Sequence, residues 1–327
     1  MSPSTNEFGF HTTAEDAAEV FASEIAGKNV LITGTSLGGI GFEAARVVAK
    51  YANLVIITGY DAERLQLAED AIKKEVPAAN IRKLILDLSS LAAVRVAAAE
   101  VNAYPEPLHV LINNAAAAIA TFRVTVDNLE KQMATGHVGP FLFTNLLVPK
   151  LLAAASSSYT PRVVFVASAA HAFSTTIDFA TLAKPDPAKY ESIFQPYNDT
   201  KGANVLTALE LSRRAGGKLN VYALHPGLIY TNGSHKEDML EGMMALGVVD
   251  AEGKPISNPA YLWKTIPEGT ATTVAAAFDP SLSATSGAYL DDCKDATASI
   301  APYAADPANG ALLWEATEKI LGQTFKF

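Results

Sequence analysis

Six short apolar segments alternate along this chain with stretches of helical length, and this rhythm restricts the fold more than any other feature. Residues 28–33, 54–58, 84–86, 109–112, 162–167 and 220–223 read as buried strands. Between them, helices are predicted over 41–51, 61–74, 91–103, 128–154 and 197–215. Strands apolar on both faces and joined by crossovers of this length pair in parallel, with helices covering each face. The crossovers must be right-handed. The expected architecture is therefore α/β, a doubly wound parallel sheet of the Rossmann type. About seven strands are expected, with helices on both faces and the ligand at their carboxyl ends.

Thr13, followed three residues later by Asp16, predicts a capped helix within an N-terminal extension over 1–24. Residues 25–327 are expected to form one domain. Two segments break the rhythm, 173–196 and 232–267. Irregular stretches this long in a compact domain usually serve a site, and the second is expected to be a substrate lid.

Nearly half of the 327 residues (49%) are apolar and 18% are charged, enough to bury a large core. A net charge of −9 argues against nucleic acid as a partner. Cys293 stands alone, which rules out an internal disulfide and suits a reducing compartment. The first ten residues lack the basic–apolar succession of a secretory leader, and no run approaches the roughly 20 apolar residues of a membrane span. A soluble, cytoplasmic protein with no membrane partner is expected. His11, His109, His137, His171, His225 and His235 show no metal-ligand spacing, so no metal is predicted.

Thr33-Gly34-Thr35-Ser36-Leu37-Gly38-Gly39-Ile40-Gly41 joins the first strand to the first helix of the sheet. Glycines there let the backbone approach a pyrophosphate, which the helix N-terminus then faces. Gly34, Ser36, Gly39 and Ile40 are the candidate phosphate contacts.

Tyr197-Asn198-Asp199-Thr200-Lys201 places a phenol and an ammonium four residues apart on one helical face. A phenol normally titrates near pH 10. A neighbouring ammonium favours the phenolate and readies it for proton exchange with a substrate oxygen. Ser168 ends the fifth strand, where its hydroxyl can hold that oxygen in line.

These motifs together resemble the short-chain dehydrogenase/reductase superfamily, whose turn reads T-G-x-x-x-G-x-G; here the turn carries one extra residue. The gap from Ser168 to Tyr197, with Gly136-His137-Val138-Gly139-Pro140-Phe141, His225-Pro226-Gly227 and Leu313-Trp314, resembles the branch of the retinol dehydrogenases and the WW-domain-containing oxidoreductase. The resemblance implies Ser168, Tyr197 and Lys201 as catalytic residues. It adds Asp87, Asn114, Ile229 and Thr231, with Tyr197 and Lys201, as cofactor contacts. Where an acidic residue would select NAD, the chain has Gly59 and Tyr60, with Arg64 one turn on; NADP(H) is expected over NAD(H).

The family's usual fourth residue, an asparagine, is replaced by Gly136. The expectation is that the Gly136 carbonyl and a water fill that role; the alternative is a cofactor-binding regulatory protein with impaired turnover. The Met-rich stretch 239–246 suits an adaptable apolar pocket. With His171, Phe173 and Tyr230 as pocket candidates, the expected substrate is a bulky apolar ketone, aldehyde or secondary alcohol. A homodimer through the helices around 141–154 and 203–214 is expected from the resemblance alone.

Overall fold

The computed structural model describes residues 7–117, 122–230, 240, 243–244, 247–258 and 261–327. Helix α1 (Ala14–Val20) opens with the expected reciprocal cap: Thr13 Oγ1 accepts from the Asp16 amide, and the Asp16 carboxylate accepts from the Thr13 amide. Helix α2 (Ala22–Ile25) follows. The alternation then runs β1 (Asn29–Ile32), α3 (Ile40–Val48), β2 (Leu54–Gly59), α4 (Ala62–Glu75), β3 (Ile81–Ile85), α5 (Leu91–Ala103) and β4 (Val110–Asn113). Asp61 and Ser90 cap α4 and α5, the short polar side chain satisfying first-turn amides in each case.

The helix predicted over 128–154 is not uniform. A short α6 (Lys131–Met133) passes into a π-turn over Ala134–Val138, and α7 (Gly139–Leu152) continues from it. The cause is legible locally: Pro140 has no amide hydrogen, so the α-helical ladder cannot run unbroken through this point. After α7 come β5 (Arg162–Val166), a 3₁₀ turn over Ala169–Phe173, α8 (Phe179–Ala183), the long α9 (Gln195–Ala215) and β6 (Asn220–His225). The segment between Phe173 and Pro196, expected to be irregular, holds α8 and a second 3₁₀ turn.

Strand β7 (Leu228–Ile229) pairs in parallel with β8 (Trp263–Lys264), tying together the two ends of the segment expected to be a lid. Then follow α10 (Ile266–Phe278), β9 (Tyr289–Asp291), β10 (Lys294–Asp295), α11 (Pro302–Ala305) and α12 (Pro307–Leu321).

The main sheet has the order β3-β2-β1-β4-β5-β6-β9-β10. Every pairing is parallel except β9–β10. Among the described residues the sheet thus holds eight strands, where about seven were expected. The additional edge strand is a two-residue hairpin arm, turned by Asp292 and Cys293 at φ 48° and 63°. One apolar cluster packs α5, α7, α9 and α12 on one face; a second packs α1, α3 and α10 on the other. The chain reverses direction across the sheet at β1, whose neighbours are β2 and β4. In sheets of this kind the crevice outside the carboxyl ends at that point accepts the ligand.

Candidate active site

The glycine turn leaves β1 at this crevice. Gly34 has φ +72°, and a Cβ there would lie 2.8 Å from Ala115 Cα, so only glycine brings the turn this close to the β4 end. The extra residue of the turn is absorbed at Gly38, φ +73°, leaving Gly39-Ile40-Gly41 to start α3. Asn114 braces the turn by donating Nδ2 to the carbonyls of Thr33 (2.8 Å) and Gly34 (3.1 Å). Helix α3 has no side-chain cap, so its first-turn amides are open to an anion. Ser36 is exposed at the mouth of the turn, and Gly39 and Ile40 are partly accessible behind it. Asp87, beyond β3, is partly exposed and accepts from the amide and hydroxyl of Ser89.

Ser168 stands just beyond β5 in extended backbone, as the N-cap of the 3₁₀ turn. Its Oγ accepts from the Ala170 amide (3.1 Å), and Ser168 is near enough to the Tyr197 phenol to influence its titration. Lys201, one turn along α9, is 4% exposed. Its Nζ lies 5.6 Å from the Tyr197 ring centroid and donates to the Val166 carbonyl at 2.8 Å. The three predicted catalytic side chains thus converge where β5 meets α9. Burial pushes the Tyr197 phenol above its ordinary value, opposed by the Ser168 hydrogen bond. The same burial brings Lys201 down to about 8. The direction of the phenol's shift is thus upward, set by burial, where a lowering was expected from Lys201 and the nicotinamide together.

Gly136 lies within the π-turn. A Cβ there would stand 2.4 Å from Thr200 Cγ2, so the Thr200 methyl of α9 occupies the space a side chain at this position would need. The Thr200 hydroxyl is turned back to the Pro196 carbonyl (2.6 Å), which fixes the methyl toward Gly136. The Gly136 carbonyl, whose α-helical donor would have been the amide of Pro140, accepts instead from Asn204 Nδ2 at 2.6 Å. Thr200 and Asn204 were not singled out as site residues from sequence, although Pro140, four residues beyond Gly136, marked the missing donor.

The remaining predicted residues divide. His171 is 3% exposed, with both ring nitrogens on backbone partners and its ring against Tyr289 at 4.9 Å between centroids. Phe173 is 74% exposed. Tyr230 packs edge-on against Trp263 beside a small apolar cluster of Met243, Val248 and Val249, and donates to the Gly253 carbonyl. Ile229 is half-buried in β7. Thr231 and most of the Met-rich stretch lie outside the described residues. A cavity of about 70 Å³ opens against the first turns of α9, lined by Glu130, Met133, Tyr190 and Asp199 among others. None of Ser168, Tyr197 and Lys201 lines it, so it is distinct from the point where they converge. Among the described residues there is no cluster of metal-ligating side chains and no helix long and apolar enough to cross a membrane.

With this geometry in place, the likeness to known proteins is specific. Residues 28–178 match the pattern of the short chain dehydrogenase family. The chain is 34% identical over 318 residues to the short-chain dehydrogenase TIC 32 B, chloroplastic, of Brassica napus, covering 96% of this chain and 94% of that one. It is 33% identical over 304 residues to the WW domain-containing oxidoreductase of Danio rerio, covering 91% and 69%. The fold is shared with the Pseudomonas aeruginosa RhlG/NADP active-site complex at a TM-score of 0.59 and 22% identity, over 81% of this chain and 94% of that one. On these likenesses the chain belongs to the short-chain dehydrogenase family.

Proposed function

We infer that the protein is an NADP(H)-dependent oxidoreductase that interconverts a bulky apolar ketone or aldehyde and its alcohol, with Tyr197 as the acid/base. The observation that carries this is the placement of Lys201 Nζ 5.6 Å from the Tyr197 ring, anchored to the carbonyl of Val166 two residues before Ser168.

The residues present fit a dinucleotide. The turn at Gly34 would be filled by any Cβ, and the uncapped start of α3 offers amides to a pyrophosphate. Gly34, Ser36, Gly39, Ile40, Asp87, Asn114, Ile229 and Thr231 would hold it. When bound, the nicotinamide supplies or takes up the hydride. The Asp61 carboxylate at the end of β2 caps α4 by accepting from the Glu63 and Arg64 amides, rather than standing free for ribose hydroxyls. Arg64 is exposed beside Tyr60 and suits a 2′-phosphate, which favours NADP(H).

The Ala170 amide donates to Ser168 Oγ, leaving the serine its own proton to donate to a substrate oxygen. The neutral Tyr197 phenol then gives its proton to that oxygen in the reductive direction and recovers it in the oxidative one. Lys201 spends one N–H on Val166 and keeps two for the nucleotide ribose and the phenol oxygen. The apolar cluster of Met243, Val248 and Val249, with Tyr230 and Trp263 against it, supports a bulky apolar substrate. The lone, buried Cys293 suits a reducing compartment such as the cytosol.

Tyr197→Phe tests the reading. Ketone reduction should fall by roughly 10²- to 10⁴-fold while NADPH affinity is kept. Undiminished reduction by this variant would falsify the assignment. A wild-type protein that binds NADPH tightly yet reduces no member of a ketone and aldehyde panel would favour the regulatory alternative, which draws on Gly136.

A further inference from the structure

The peptide that follows Ser168 is held at both of its polar atoms by histidine rings. On one side, His171 Nδ1 lies 2.8 Å from the Ser168 carbonyl. On the other, the Ala169 amide donates to His225 Nδ1 at 3.1 Å. The Ser168 carbonyl and the Ala169 N–H belong to one peptide plane, so two imidazoles grip a single peptide from opposite edges. The Ala301 amide, in turn, donates to His171 Nε2 at 3.3 Å.

These partners fix the ring protons. A carbonyl only accepts and an amide N–H only donates. His171 must therefore carry its proton on Nδ1, and His225 must carry its own on Nε2. An imidazolium at either position would turn N–H against N–H, at Ala301 in the first case and at Ala169 in the second. Burial favours the neutral forms, holding His171 below its ordinary value and His225 down to about 4. The charged groups acting on His225 agree on balance, Lys264 and Lys201 opposing its protonation and Asp292 favouring it. His171 faces the Tyr289 ring, not a charge.

We propose that His171 and His225 are positioning residues for Ser168, a pair of imidazoles in opposite neutral tautomers that lock the Ser168–Ala169 peptide and thereby aim the serine hydroxyl. Rotating this peptide breaks a hydrogen bond at each edge. The peptide sets the direction of the 3₁₀ turn whose Ala170 amide binds Ser168 Oγ. The aim of the serine proton is thus steadied by two rings, beside the His171 amide that also donates to the Ser168 carbonyl at 3.1 Å. The proposal rests on the reductase reading, in which Ser168 holds the substrate oxygen.

The test has two arms. Nitrogen-15 NMR of the histidine rings in the full-length protein at neutral pH should find the Nδ1–H form at His171 and the Nε2–H form at His225; the reverse tautomers, or an imidazolium at either, would overturn the proposal. In steady-state kinetics with NADPH and a ketone that the wild-type protein reduces, His225→Ala and His171→Ala should each lower kcat about 10- to 100-fold with KM nearly unchanged. His225→Asn should restore part of the loss, because its Oδ1 can accept from Ala169. An unchanged kcat in a folded His225→Ala protein would overturn the proposal. If the alanine variants do not fold, the tautomers decide. A wild-type protein that turns over no carbonyl compound would sink the reductase reading, and the positioning role with it, even with the tautomers as expected.

Discussion

Asn204 donates its side-chain amide to the Gly136 carbonyl at 2.6 Å, supplying from α9 the hydrogen that Pro140 cannot supply within its own helix. Asn204 is buried, and it lies three residues beyond Lys201 on the same face of α9. The bond therefore pins the π-turn against the helix that carries the Tyr–Lys pair. Asn204→Ala removes this donor from a buried carbonyl, and chemical denaturation should show a loss of about 1–3 kcal/mol. An Asn204→Ala protein as stable as wild type would mean that the carbonyl finds another donor.

Gly136 is kept free of a side chain by Thr200. On helix propensity alone, Gly136→Ala should stabilise by roughly 0.5–1 kcal/mol. The 2.4 Å approach to Thr200 Cγ2 reverses the sign, because moving that methyl breaks the Thr200–Pro196 hydrogen bond. Gly136→Ala should therefore cost about 1–3 kcal/mol. In a Thr200→Ser background, which removes the methyl and keeps the hydroxyl, the same substitution should be neutral or stabilising. A double-mutant cycle by thermal unfolding checks this, and additive effects would count against the contact.

Acid should destabilise the fold through its buried histidines. Burial holds His137 down to about 3 and His225 down to about 4, from an ordinary 6.5. A group whose pKa is lowered in the folded state gives its full stabilisation above the unfolded value and loses it as pH falls toward the folded one. Stability should thus decline from about pH 6.5 toward pH 4. Asp199, raised to about 6 by burial, works in the opposite sense and favours the folded state more as pH falls from 6 toward 3.8. The histidines outnumber it, so unfolding curves between pH 7 and 4 should show a net loss. Replacing His137, whose Nε2 meets Thr317 at 2.9 Å, with Gln should flatten the decline.

Helix α12 covers the faces of α7 and α9 through which a homodimer was expected. Trp314 meets Phe141 of α7 at 4.5 Å between ring centroids, and Arg214 of α9 lies over the Trp314 ring at 4.7 Å. Gly310 packs against Glu210 and the Leu206 carbonyl, near enough that a Cβ would be in contact with both. We expect the protein to leave this face unpaired between copies. Trp314→Ala should cost about 3–5 kcal/mol and expose apolar surface on α7 and α9. Light scattering should find wild type free of association through this face and the variant prone to self-association; a wild-type dimer that Trp314→Ala dissociates would show that the helix builds the interface rather than closes it.

The alternation of strands and helices was readable because parallel strands buried on both faces are apolar without interruption, as in Val30, Leu31 and Ile32. The placement of the candidate site residues was readable because Tyr197 and Lys201 are set by helix periodicity and Ser168 by a strand end. The hairpin of β9 and β10 was missed because a two-residue arm carries no periodicity, and its turn uses Asp292 and Cys293 at positive φ where Asn-Gly is the usual signal. His171 read as a pocket residue because its spacing from Ser168 placed it near the reaction. The direction of its ring depends on Ala301, 130 residues away.

The sequence by itself determined the doubly wound sheet, the glycine turn and the Tyr–Lys spacing, because each rests on local periodicity or on backbone freedom that a residue carries with it. Tertiary structure alone decided which methyl stands against Gly136, which side chain donates to its carbonyl, which rings flank the Ser168 peptide, and how deeply the phenol is buried. Each of these depends on the distance between groups far apart in the chain, and hydrogen bonding, steric contact and desolvation act only once folding has set that distance.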